Sequence, residues 1–356
     1  MIGIFLLNMG GPDSIEAVRP FLYNLFSDRH IMKLGPPALQ KPLAWLISTF
    51  RSGKTKKMYA LIGGGSPLLR ITKAQAAALE NELNVTLPLQ STQSTSLKGW
   101  REGMKVYVGM RYWHPFIEDT VADAYHDGVK TLLALSLYPH FSITTSGSAI
   151  SKFEETAKRY CMDYRIISSW YDHPLYIESL RDVIRKGVSS FGGEDVVILF
   201  SAHSLPLCVI KSGDPYVQHI EGTIREVVQK IRIQWHLSYQ SKSGPVKWLS
   251  PSTEEKIREL AVGGVKNLLV VPISFVSDHI ETLYEIDVVY STVARMLGMR
   301  LERTESLNTH PIFIKALREL VLKGIAESGW TDNSYHSAAM HTRFGSGKAE
   351  NYMQKI

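Results

Sequence analysis

The sequence predicts an α/β fold: two similar, doubly wound halves whose parallel sheets face a central cleft. Three observations carry this. Short apolar runs such as IGIFLL, VVILF and NLLVVPI alternate with helix-length segments, as crossover-connected parallel strands require. One unit recurs at a constant offset of 136 residues, so that HPFIEDTVADAYHDGVKTLLALSL at 114–137 runs beside SPSTEEKIRELAVGGVKNLLVVPI at 250–273. Each copy has a proline at a helix start, acids in the first turn, a Gly-Val-Lys stop and then a buried strand. A looser match at an offset of 194 sets Ile4–Pro12 beside Ile198–Pro206 and puts Met9 opposite His203.

The elements follow in order. The first half, 1–160, opens with a strand at 2–8. A helical excursion over 14–59 is too long for a simple crossover and is expected to cover the mouth of the cleft as a lip. Glycine-rich GGGSP at 63–67 precedes a helix at 68–83, a strand at 105–109, a helix at 115–127 and a strand at 131–137. The second half, 161–332, is expected to hold strands at 164–168, 195–200, 246–249 and 267–273. Its helices are expected at 174–189, 214–234, 251–262 and from about 278. Residues 333–356 turn polar and read as a tail.

Bulk properties narrow the function. The 356 residues exceed what one core usually needs, and 44% hydrophobic with 21% charged residues is ordinary for a globular protein. The net charge of +6 comes without a basic run interleaved with aromatics, which argues against nucleic acid. Cys161 and Cys208 alone cannot build a disulfide scaffold, and a reducing cytoplasm fits. MIGIFLLNMGGP has neither a basic start nor a cleavage site, so it reads as a buried strand rather than a signal peptide. Pro42–Phe50 is apolar but short of the ~18 residues of a membrane span. Arg51, Lys54, Lys56 and Lys57 follow it, so it reads either as a segment lying on an anionic membrane or as a surface helix with a solvated end.

Chemistry concentrates after two strands. His203 stands in SAHSLP between small neighbours, at a carboxyl edge where ligands of α/β sheets bind. Asp278, His279, Glu281 and Glu285 stand in SDHIETLYE at the same edge of a later strand. Asp278 and Glu285 share a helical face with Glu281, and like charges on one face need solvent, cations or a metal. An imidazole facing a carboxylate can hold a divalent metal and take protons from an N–H acid. GGGSP lacks the Lys-Ser/Thr of a phosphate loop, and no strand-GxGxxG-helix unit surrounds it. Arg51, Arg111, Tyr112 and Trp248 fall near element ends, where arginine suits carboxylates and aromatic rings supply flat walls.

Across nearly the whole chain the motifs LLNMGGP, IGGGSP, GMRYWHP, SLYPHFS, SAHSLP with GDPY, QSKSGPVKWLSP and FVSDHIETLYEID resemble those of the ferrochelatases, which insert ferrous iron into a porphyrin. The resemblance implies two Rossmann-like halves around a porphyrin cleft. It implies His203 and Glu281 as the metal-binding and catalytic pair; Asp278 and Glu285, on the same helical face, read from the residues themselves as a candidate acidic relay. It implies Met9, Arg51, Ser66, Arg111, Tyr112 and Trp248 as porphyrin-pocket residues, and a lip at about 30–59 that can touch a membrane. Iron is then a substrate, and no further cofactor is expected. Three departures stand out. Val289 replaces the acid that often continues the row one turn past Glu285. No cysteine follows Cys208, so no iron–sulfur cluster is expected. Met9 stands where members acting on coproporphyrin often carry tyrosine, which favours protoporphyrin IX. Rival readings are coproporphyrin III as substrate, a chelatase for another metal, and a porphyrin carrier without turnover.

Overall fold

The computed structural model describes residues 1–85, 104–244 and 246–330; the expected tail at 333–356 lies outside the described residues. The first half runs β1 (Ile2–Asn8), α1 (Val18–Ser27), α2 (Pro37–Ala60), α3 (Leu68–Val85), β2 (Met104–Met110), α4 (Ile117–His126) and β3 (Thr131–Ser136). A π-helix (Ile143–Gly147), α5 (Ser148–Arg159) and β4 (Asp163–Ile167) complete it. The second half runs α6 (Pro174–Ser189), β5 (Val197–His203), α7 (Leu207–Lys211), α8 (Tyr216–Val228), β6 (Trp235–Gln240), α9 (Thr253–Val262) and β7 (Asn267–Pro272). A second π-helix (Glu281–Tyr290), α10 (Ser291–Met296), β8 (Arg300–Arg303) and α11 (Pro311–Glu327) follow.

Each half contains a four-stranded sheet, in the orders β2-β1-β3-β4 and β6-β5-β7-β8. Every strand pair is parallel. The register reproduces both offsets read from the sequence. Gly3 pairs with Leu132 and Val197 pairs with Leu268, so one step of 194 and one of 136 map the first pair onto the second. The repeated prolines agree: both the His114–Pro115 and Ser250–Pro251 bonds are cis. Their carbonyls accept from the backbone N–H of Met110 and Tyr239, at the ends of the edge strands β2 and β6.

Strand alternation builds the layers. Ile4 and Leu6 face one core while Phe5 and Leu7 face another, the period of two that a sheet covered on both faces requires. In the second half Ile198 and Phe200 join the core of Ile4 and Leu6, while Val197 and Leu199 pack outward with α9 and α10. One core therefore fills the space between the two sheets, built also from α3, α6, α8 and α11. Helix α11 crosses back to the first sheet, where a Cβ at Gly324 would lie 3.0 Å from Ile167 Cδ1 and 3.1 Å from Leu133 Cδ1.

Four expectations need correction. The strand expected at 164–168 in the second half is β4, bonded to β3 in the first sheet, so the boundary drawn at 160/161 falls too early. The strand expected at 246–249 is not there; the second sheet's edge is β6, and Trp248 makes a single bridge to Pro206. The helix expected over 214–234 spans only Tyr216–Val228, and β6 follows at Trp235–Gln240, where no strand was expected. The helix expected from about 278 begins as a π-helix at Glu281 and becomes α-helical only at Ser291.

Candidate active site

The carboxyl ends of β5 and β7 place the chemistry. His203 is the last residue of β5, and its backbone is fixed from both sides. Its N–H donates to Ser274 Oγ at 2.8 Å, and its carbonyl accepts from Tyr216 OH at 2.9 Å. Glu281 opens the π-helix that follows β7. The wider π turn aligns residues four to five apart, so Glu281 and Glu285 share a face; such helices are frequent at functional sites. The first half repeats the device, because Thr145, the offset-136 counterpart of Glu281, lies in the shorter π-helix. Thr145, Tyr138 and His140 border the same small cavity as His203, Ser274 and Phe275, which puts His203 at the junction of the halves.

His203 Nδ1 lies 2.9 Å from Glu281 Oε1 and 3.0 Å from Oε2. Burial alone would push the His203 imidazole down, but the charge and hydrogen bond of Glu281 outweigh it and raise its pKa. Burial would likewise raise the Glu281 carboxyl, and the His203 charge overrides it and holds it well below the usual carboxylate range. Both directions favour charge on the pair, a proton on His203 and none on Glu281. Glu285 is pushed up to about 7, by burial first and then by repulsion from Glu281.

His279 joins this group. Its Nδ1 lies 3.1 Å from the Ser277 carbonyl, which can only accept, so Nδ1 carries the proton. Its Nε2 is buried without a hydrogen-bond partner, 3.9 Å from Glu281 Oε1. Gln240, at the end of β6, reaches both acids, with Nε2 3.3 Å from Glu281 Oε2 and 3.4 Å from Glu285 Oε2. Ser241 Oγ donates to Glu285 Oε2 at 2.6 Å. Asp278 stands apart, which corrects its expected place in the relay. Its carboxylate is held by Arg303 at 3.1 Å, Ser306 at 2.8 Å, Asn308 at 2.9 Å and Thr282 at 3.0 Å. It lines a different hollow, with Pro67, Arg70 and Asn308. Val289 packs against the outer core of the second half and extends no acidic row.

The pocket residues divide. Met9 and Tyr112 pack with the lip helices α1 and α2 in a small core that also takes Ile280, the neighbour of Glu281. Tyr112 is 3% exposed, so its ring is not the open wall expected; its OH donates to Asp28 Oδ2 at 2.8 Å. Arg111 donates to the same oxygen at 2.9 Å, and Ser148 also bonds it. The other oxygen of Asp28 accepts from the His30 backbone N–H at 2.8 Å. Sequence reasoning missed Asp28, an acid inside the excursion with no motif to mark it. Arg51 is exposed on α2 and spans the halves, donating to Ser243 Oγ at 2.7 Å. Ser66 lies hard against Gly11, where a Cβ would come within 2.6 Å of its Oγ. Trp248 is half-buried, with Nε1 enclosed and unpartnered. On the lip, Leu39, Trp45, Leu46 and Phe50 are 44–78% exposed. Among the described residues no helix is long and apolar enough to cross a membrane.

This arrangement offers a nitrogen–oxygen donor set beside a chargeable base, at the meeting of two sheets. Among the described residues no three His, Cys, Asp or Glu side chains form a closed metal cage.

The model of the ferrochelatase family matches residues 1–325. A ferrochelatase of Gloeothece citriformis is 46% identical over 93% of this chain and 84% of its own length. One from Cyanothece sp. is 49% identical over 91% of this chain and 82% of its length, and one from Geotalea daltonii is 46% identical over 89% and 96%. Among solved structures, SirB from Bacillus subtilis with Fe3+ covers 92% of this chain and 97% of its own at a TM-score of 0.50 and 12% identity, a likeness of fold alone.

Proposed function

Since this chain belongs to the ferrochelatase family, lyases of haem biosynthesis that insert iron into a porphyrin, we propose that His203 and Glu281 carry the insertion and that protoporphyrin IX is the macrocycle. The observation that carries the first part is His203 Nδ1 at 2.9 and 3.0 Å from the two oxygens of Glu281, beside the unpartnered Nε2 of His279. Met9, just after β1, stands where members acting on coproporphyrin often carry tyrosine, which supports the second.

The reaction exchanges two pyrrole N–H protons for one ferrous ion, with no change of oxidation state. In the resting pair His203 already holds a proton, so the neutral base expected from sequence has to be generated. A divalent ion arriving at Glu281 takes over the carboxylate's charge and removes what raises the His203 pKa. The imidazole then releases its proton to solvent and takes the two pyrrole protons in turn, passing the first to solvent before it accepts the second. Metal arrival and base formation are thereby the same event. Glu285 and His279 Nε2 supply the ion's other contacts. The cleft bends the macrocycle so that pyrrole lone pairs point toward the ion, using binding energy for distortion. The exposed apolar face of α2, with Lys54, Lys56 and Lys57 behind it, fits peripheral contact with an anionic membrane near the substrate's entry.

The test is His203→Ala. It should lose insertion of both iron and zinc yet bind porphyrin as the wild type does. Activity within a few-fold of wild type would remove His203 from the mechanism. Porphyrin binding by the wild type without any insertion would leave a carrier.

A further inference from the structure

Gln240 holds a position that the insertion chemistry above leaves unused, and the following rests on that reading of Glu281 as the metal-accepting carboxylate. Its side chain is buried, 3% exposed. One end is fixed: Oε1 accepts from Ser201 Oγ at 2.5 Å, and Ser201 Oγ lies 2.8 Å from Thr253 Oγ1. The reverse amide orientation would turn Oε1 on two carboxylates, so the donors must face the acids. There Nε2 stands nearly midway, 3.3 Å from Glu281 Oε2 and 3.4 Å from Glu285 Oε2. Both distances are longer than a settled N–H···O bond, so the amide can lean toward either acid at little cost.

The repeat marks the same place independently. Asn8 pairs with Met110 in the first sheet and Ala202 pairs with Tyr239 in the second, which makes Arg111 the counterpart of Gln240. Each follows the end of its edge strand's core and carries donors to an acid, Arg111 to Asp28 and Gln240 to Glu281 and Glu285. The difference between them is charge. A guanidinium between Glu281 and Glu285 would neutralise the acids and repel a divalent ion, whereas an amide offers donors without a charge.

We propose that Gln240 is a positioning residue for metal transfer, a neutral donor shared by Glu281 and Glu285 that releases whichever carboxylate is taking the ion and holds the other in place. The test uses zinc insertion by the full chain with Gln240→Met, which keeps the length and removes the donors. The apparent KM for zinc should rise five- to tenfold while the KM for porphyrin stays within twofold. Gln240→Glu should lower the zinc KM and the kcat together, because a third carboxylate holds the ion and slows its release. If Gln240→Met folds poorly, Ser201→Ala combined with it removes the hydroxyl that loses the Gln240 acceptor, and the same split is expected. A zinc KM within twofold of wild type, or equal changes in both KM values, overturns the proposal. Glu281→Gln separates the two levels: if it is inactive while Gln240→Met leaves the zinc KM unchanged, only the role of Gln240 fails; if it inserts zinc normally, the underlying metal-site reading fails.

Discussion

Replacing Asp28 by Asn should loosen the lip. The Asp28 side chain is 4% exposed, and its carboxylate accepts from His30, Arg111, Tyr112 and Ser148, joining the end of α1 to the end of β2 and the start of α5. Asparagine keeps the shape but turns an N–H2 toward donors and leaves Arg111 without its counterion. Removing one partner of a buried ion pair costs about 3–5 kcal/mol; Arg111 is 19% exposed, so water reaches it and the low end, about 3 kcal/mol, applies. The core shared between the halves makes a single transition the expectation. With roughly 300 ordered residues the unfolding entropy is about 0.6 kcal/mol per kelvin, so Tm should fall by about 5 °C. The pH dependence gives a second signature. Burial pushes the Asp28 carboxyl up, but the His30 hydrogen bonds, the Arg111 charge and the Ser148 hydroxyl outweigh it and hold it well below the usual range. A depressed carboxyl contributes stability above its unfolded pKa near 4 and loses it as pH falls toward the folded value. Scanning calorimetry should therefore show the full gap between wild type and variant at pH 7 and pH 5, closing below about pH 3. A variant within 1 °C of wild type at pH 7, or a gap unchanged into strong acid, would refute the reasoning.

Other outcomes follow from the site. Glu281→Gln should reduce kcat by roughly 10²–10⁴-fold, and the His203 imidazole should titrate lower than in the wild type, read by NMR of labelled histidine; an unchanged His203 titration would contradict the ion pair. Glu285 gains its negative charge as pH rises through about 7, so the KM for zinc should fall between pH 6 and pH 8, and Glu285→Gln should flatten that dependence. Phe50 and Trp45 expose apolar rings on α2, and burying each in a membrane is worth about 1.5–3 kcal/mol. Changing both to Ser should lower binding to anionic vesicles at least tenfold while leaving insertion into detergent-dispersed porphyrin intact; equal vesicle binding would assign the face another role.

The central strands were legible because both their faces are buried: β1, β5 and β7 each contain an unbroken apolar run, IGIFLL, VILF and LLVVP. His203 and Glu281 were read from their place after apolar strands at a sheet's carboxyl edge, and the structure brings them within 2.9 Å of each other. The edge strands were harder to read. WHLSYQ in β6 and RLER in β8 lie half-exposed and carry mixed polarity, as edges do. The error over β6 also hid Gln240, whose role depends on which strand it ends. The π-helix at Ile143–Gly147 reads as a loop, because ITTSG has no apolar period. Asp28 could not be found locally, since its partners Arg111 and Ser148 lie 83 and 120 residues away in the chain.

The most direct measurement is anaerobic absorbance of the protein with ferrous iron and protoporphyrin IX, run beside coproporphyrin III, for wild type and His203→Ala. The account predicts catalytic loss of the free-porphyrin spectrum by the wild type, faster with protoporphyrin IX, and a bound but unchanged porphyrin spectrum in the variant. Turnover by His203→Ala close to that of the wild type would contradict it, and faster turnover of coproporphyrin III would overturn the assignment of the substrate.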